Sequence, residues 1–155
     1  MIRRFTTRCL APLALGAIAL VAASCGDPLQ PDDHPDAGGV VVFAEGTRNV
    51  LAMSVGAGVA FDNPITVPLG GTLEVEVLFL DADDPANLDL AFLPRAAEGE
   101  SLRATVANPA IAGFDLHGDH ADFEGLAPGT TTVRFDLMHG SHSDFASGPL
   151  TVTVQ

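Results

Sequence analysis

A two-residue rhythm of apolar and polar side chains governs most of this sequence. Residues 72–80 set Leu73, Val75, Val77 and Phe79 against Glu74 and Glu76, and residues 131–138 set Val133, Phe135 and Leu137 against Thr132, Arg134 and Asp136. Successive side chains on an extended backbone point to opposite faces, so each run is a strand with one face on a core and one in solvent. Leu150, Val152 and Val154 repeat the rhythm at the end of the chain. Shorter β-rich runs at 40–44, 50–54, 102–107 and 122–126, with Gly, Pro, Asn and Asp between them, bring the total to about seven strands. No stretch carries the periodicity of an amphipathic helix. The expected fold class is therefore all-β, an antiparallel β-sandwich over residues 40–155, long enough for one domain with its own core.

Set into that pattern is a phrase that occurs twice, as Phe114-Asp115-Leu116-His117-Gly118-Asp119-His120-Ala121-Asp122-Phe123 and as Phe135-Asp136-Leu137-Met138-His139-Gly140-Ser141-His142-Ser143-Asp144-Phe145. Both copies contain His-Gly-x-His-x-Asp-Phe. Glycine between the histidines, with Phe, Thr and Val around them, points to two-residue hairpin turns at Gly118-Asp119 and Gly140-Ser141 rather than to helix. The flanking histidines then oppose each other on one sheet face, with Cβ atoms roughly 4.5–5.5 Å apart. Asp122 and Asp144, two residues after His120 and His142, point to the same side, as does Asp115 before His117. Imidazole nitrogen with carboxylate oxygen suits zinc or copper, so His117, His120, His139, His142, Asp122 and Asp144 are the candidate metal ligands. One strand down, a turn at Ala127-Pro128-Gly129 and one strand back put both hairpins at the same end of the domain, where the four histidines could converge.

The second copy departs from the first in two ways. Met138 has no counterpart, which moves His139 to the other strand face unless a bulge compensates. Gly148-Pro149 suggests that His142 opens a loop rather than a returning strand.

Residues 1–24 read as targeting rather than fold. Arg3, Arg4 and Arg8 precede an almost wholly apolar run over 10–23, the pattern of a secretory signal peptide and short for a transmembrane span. Ala22-Ala23-Ser24-Cys25 resembles a bacterial lipobox, which implies acylation of Cys25 and a lipid-anchored mature protein. Gly26 favours the outer membrane by the same resemblance, with the domain facing the periplasm or the cell surface. Residues 25–39, rich in Pro, Gly and Asp, read as an acidic tether in which His34 is a solvated linker histidine. With Cys9 in the signal and Cys25 lipidated, the domain has no disulfide despite its oxidising compartment. The chain carries a net charge of −13, its 20 acidic residues all follow Cys25, and the basic residues that remain are Arg48, Arg95, Arg103 and Arg134. Such a surface disfavours nucleic acid and anionic lipid as partners and attracts cations.

Val106-Ala107-Asn108-Pro109-Ala110-Ile111-Ala112, Phe123-Glu124-Gly125-Leu126-Ala127-Pro128-Gly129-Thr130-Thr131-Thr132-Val133 and Leu150-Thr151-Val152-Thr153-Val154 together resemble bacterial immunoglobulin-like domains of the Big-2 type. The resemblance covers the C-terminal part of the chain and, loosely, the 72–80 strand. It implies an immunoglobulin-like sandwich and no particular function, since that fold hosts many. The histidine phrases are not part of that family's usual pattern.

Asp81, Asp83, Asp84 and Asp89 form an oxygen-only candidate for Ca²⁺, without the spacing of an EF-hand loop. The chain has no Gly-x-Ser-x-Gly elbow and no phosphate-cradling loop before a helix, so an enzyme here would work through a metal. Three readings follow. The protein is an envelope lipoprotein that captures or delivers zinc or copper, in concert with an envelope protein partner. Alternatively it is a non-enzymatic adhesion or assembly module with incidental histidines, or a small metalloenzyme with an open metal position.

Overall fold

Each alternating run read from the sequence is a strand in the structure. The computed structural model describes residues 36–155, which form ten strands: β1 Ala37–Ala44, β2 Asn49–Val55, β3 Ile65–Val67, β4 Thr72–Asp81, β5 Glu100–Val106, β6 Ala112–His117, β7 His120–Gly125, β8 Gly129–His139, β9 His142–Ala146 and β10 Leu150–Val154. The signal segment 1–24, Cys25 and His34 lie outside the described residues. Three strands join the seven expected. β3, with 3 residues, is too short for a rhythm to show, and β6 and β9 are the remaining arms of the two histidine hairpins.

The strands form two five-stranded sheets packed as a sandwich. The first runs β2-β1-β4-β7-β6; the second runs β3-β10-β8-β5, with β9 also on β8. All pairings are antiparallel except β3 with β10. Since β5 takes one edge of β8 along Val133 to His139, β9 and β10 follow each other along the opposite edge.

Inward side chains of both sheets build one core, with Val40, Val75, Phe79 and Phe123 meeting Val133, Phe135, Leu150 and Val152, none more than 1% exposed. Phe114 packs edge-on against Phe123 and Phe135, with ring centroids 5.0 and 5.5 Å apart, and Phe145 packs edge-on against Phe79 at 6.1 Å. Each such pair adds about 0.5–1.5 kcal/mol to the burial of its rings. Residues 40–43 are apolar without alternation because β1 is covered on both faces. On its outer side Val41, Phe43, Leu78 and Leu80 form a second layer capped by Met53, Leu88 and Ala91.

Strand β1 begins at Ala37, so the last residues of the expected tether belong to the domain. A Cβ on Gly39 would fall 2.3 Å from the Ser54 carbonyl oxygen. Gly39 marks a close backbone approach, where the sequence suggests flexibility. On the far side of the first sheet, β7 pairs with β4 only from Thr72 to Val75, so β4 outruns the β6–β7 hairpin. Above that point Phe92 meets the vacated edge of β4, exchanging 2.8 and 2.9 Å backbone hydrogen bonds with Phe79.

Candidate metal centre

Both histidine phrases form hairpins with two-residue turns. His117 pairs with His120 and His139 with His142, while Gly118 (φ 70°) and Gly140 (φ 57°) supply the left-handed backbone that such turns need. The imidazole centroids are 5.7 Å apart in the first pair and 5.4 Å in the second.

In the first hairpin the register is unbroken, with Asp115 opposite Asp122 and Phe114 opposite Phe123. The phenylalanines face the core, so both histidines and both aspartates lie on the outer face of the first sheet. His117 Nε2 is 3.5 Å from Asp115 Oδ2 and 3.5 Å from Asp122 Oδ2. His120 turns instead to Asp119, with Nδ1 3.2 Å from Oδ1. That hydrogen bond raises the His120 pKa above the ordinary histidine value and lowers that of Asp119. Glu45, nearby, is raised because its carboxyl shares a hydrogen bond with Glu74.

The second hairpin differs by two single-residue irregularities. Strand β8 pairs with β5 in continuous register from Val106–Val133 to Glu100–His139, so Met138 does move His139 onto the core-facing side with Phe135 and Leu137. The compensating irregularity lies in the partner strand, where Leu137 pairs with Phe145 but Met138 pairs with Ser143. Asp144 is the unpaired extra residue of a β-bulge. Its carboxylate sits between the two imidazoles, Oδ1 2.9 Å from His142 Nε2 and Oδ2 3.5 Å from His139 Nδ1. Ligand atoms in a tetrahedral zinc shell with bonds of about 2.0–2.2 Å lie roughly 3.3–3.6 Å apart, so small side-chain adjustments would seat an ion.

Among the described residues, His139, His142 and Asp144 are the group of three whose ligand atoms all lie within 4.8 Å of one another. His117, His120 and Asp122 do not join it. The two pairs belong to different sheets, one outward and one at the core-facing rim, so the four histidines are not gathered into a single group. The carboxylates of the Ca²⁺ candidate are not gathered either. Asp81 Oδ1 accepts the Asp83 N–H at 2.8 Å, and Asn87 Oδ1 accepts the Asp89 N–H at 3.3 Å, so local turns organise this segment.

His142 opens a true strand rather than the loop that Gly148-Pro149 suggested, because the break in pairing falls only after Ala146. Ser147 bridges that break. Its hydroxyl accepts the Phe135 N–H at 2.9 Å and donates to the Gly148 carbonyl at 2.8 Å, while its own N–H donates to Phe135 O at 2.8 Å. The bulged arm is thereby held against β8. Side-chain exposures of 40% for His139, 68% for His142 and 39% for Asp144 leave the cluster open to an entering ion. The four arginines among the described residues are engaged elsewhere: Arg48 lies over Phe43, Arg95 pairs with Glu98, and Arg103 and Arg134 flank Asp136.

A buried carboxylate missed in the sequence stands directly across from His139. Glu100 is 6% exposed and accepts the Arg95 N–H at 2.8 Å. A Gly-Glu step ahead of a strand is its only sequence signal, and that signal says nothing of the strand's register.

No protein-family model matches the chain, and no curated protein is similar to it. Among solved structures, it is similar to the crystal structure of the S-layer protein SbsC domains 4 and 5, with a TM-score of 0.40 and 14% sequence identity. That likeness covers 59% of this chain and 46% of the other, so the chain spans less than half the length of the structure it matches.

Proposed function

We propose that this protein is a cell-envelope lipoprotein that binds a divalent transition metal, zinc or copper, through His139, His142 and Asp144, for capture or delivery. The observation that carries the reading is the Asp144 carboxylate set between two imidazoles on a hairpin with a two-residue turn. Two nitrogens and one oxygen form a donor set that zinc and copper both accept. Three protein ligands leave a coordination position open, and exposed ligands let an ion enter and leave, which suits exchange better than permanent structure. His117, His120 and Asp122 offer the same donor types on the other sheet and enter the proposal as a secondary, separate set of ligands. The apolar run over 10–23 followed by Cys25 supports export and acylation, which would hold the domain at the membrane, the outer membrane being favoured, beside an envelope partner.

Metal analysis and titration calorimetry on tag-free protein test the reading. About one Zn²⁺ or Cu²⁺ should bind per chain with the highest affinity, and the double substitution His142→Ala with Asp144→Asn should remove that event. A wild-type protein that binds neither ion, or a double variant that binds as before, would overturn it. Cys25→Ser should release the protein from the membrane fraction; unchanged fractionation would rule out the anchor.

A further inference from the structure

The β6–β7 hairpin stops short of the end of β4, and the space above its tip is a cavity of about 310 Å³. Val77, Leu93, Leu102 and Leu116 form its apolar walls, Glu100 and Asp119 contribute carboxylates, and no basic side chain lines it. Leu116 lies on the core-facing side of β6, opposite the wholly buried Ala121, yet is 43% exposed. An inward-pointing leucine with that exposure faces space instead of core. Leu93, 38% exposed, faces the same space from the segment before β5. Glu100 is almost fully buried in the wall and anchored by the Arg95 N–H.

Recesses of roughly 300–1,000 Å³ with apolar walls and a few fixed polar groups are the usual form of small-molecule sites. A buried carboxylate in such a wall selects for positive charge, because a cationic donor forms the stronger, charge-assisted hydrogen bond to it. We infer that this recess binds a small organic cation, with an ammonium head on Glu100 and an apolar body against Leu93, Leu102 and Leu116. Glu100 is the cross-strand neighbour of His139, so the recess adjoins the metal hairpin without using its ligands.

Hexylammonium and hexan-1-ol titrated separately into the full chain, followed by amide NMR shifts, test the inference. Both should give saturable shifts at Leu93, Leu102 and Leu116, with hexylammonium roughly tenfold the tighter. Glu100→Gln should bring hexylammonium close to the alcohol's affinity, and Leu116→Trp, at a half-exposed position, should weaken both. Equal affinity of the two ligands for the wild-type protein would overturn the inference, and that comparison stands even where Glu100→Gln fails to fold. Shifts spread over the acidic surface, or confined to residues 81–89, would overturn it too, as would a folded Glu100→Gln protein with undiminished preference for the cation.

Discussion

Replacing Ser147 with alanine should destabilise the domain by about 2 kcal/mol. The residue is 2% exposed and sits where β9 ends and β10 begins. Alanine would keep the hydrogen bond from the backbone N–H to Phe135 O, but lose the two that the hydroxyl makes. The Phe135 N–H would be left buried without an acceptor, which costs about 1–3 kcal/mol, whereas a carbonyl that loses one of its partners costs less. For a domain of this size the loss corresponds to a fall in melting temperature of roughly 6–10 °C. Thermal melts followed by circular dichroism would measure it. Ser143→Ala is the matched control, because that hydroxyl donates only to Phe145 O at the partly buried edge of the bulge. It should cost under about 1 kcal/mol. A Ser147→Ala melting point within about 2 °C of wild type, or an equal loss in both variants, would refute the view that Ser147 holds the bulged arm in place.

Three more outcomes follow from the hairpins. Asp119→Asn should bring the pKa of His120 down toward the ordinary histidine value, measured by NMR titration of the imidazole; an unchanged titration would mean that the hydrogen bond does not set it. The sign is fixed by the directions of the shifts: the raised His120 stabilises fully below the ordinary histidine pKa of about 6.5 and loses this as pH rises through its folded value. The lowered Asp119 contributes fully above about 3.9 and loses this as pH falls through its own folded value, so the pair is intact between the two. Chelation of bound zinc should loosen the His139–His142 turn while far-UV circular dichroism keeps its β signature, since Val, Leu and Phe build the core without an ion. Zinc affinity should weaken as pH drops below about 6.5, where protons compete for imidazole nitrogen. Loss of all β structure on chelation, or affinity constant from pH 8 to 5, would contradict this.

Strand identity was legible wherever one face is buried and the other wetter, as in 72–77 and 131–135. β1 could be found only by its β-branched content, because Val41 and Phe43 are covered by a second layer built from residues far along the chain. The hairpin turns were legible because glycine with positive φ between paired histidines leaves few alternatives. The face on which each histidine lands was not. Met138 announced a change of face, but the reply came from a bulge at Asp144, and pairing on a neighbouring strand has no local signature. Glu100 stayed hidden for the same reason: its importance comes from standing across from His139.

The bulge at Asp144 means that the donor atoms alone do not define what each hairpin can hold. Two near-identical phrases differ in coordinating geometry because β8 carries one residue more, Met138, and β9 answers by bulging at Asp144, the counterpart of Asp122. Substituting a ligand alters affinity by degrees, whereas removing Met138 would rotate His139 to the other side of the wall and carry it away from Asp144 without changing a single donor. Insertions and deletions, ordinarily tolerated in turns and harmful in strands, are here a means of relocating a site. A lineage, or an engineer, could retune where this domain offers its imidazoles by adjusting the length of an arm and leaving its chemistry untouched.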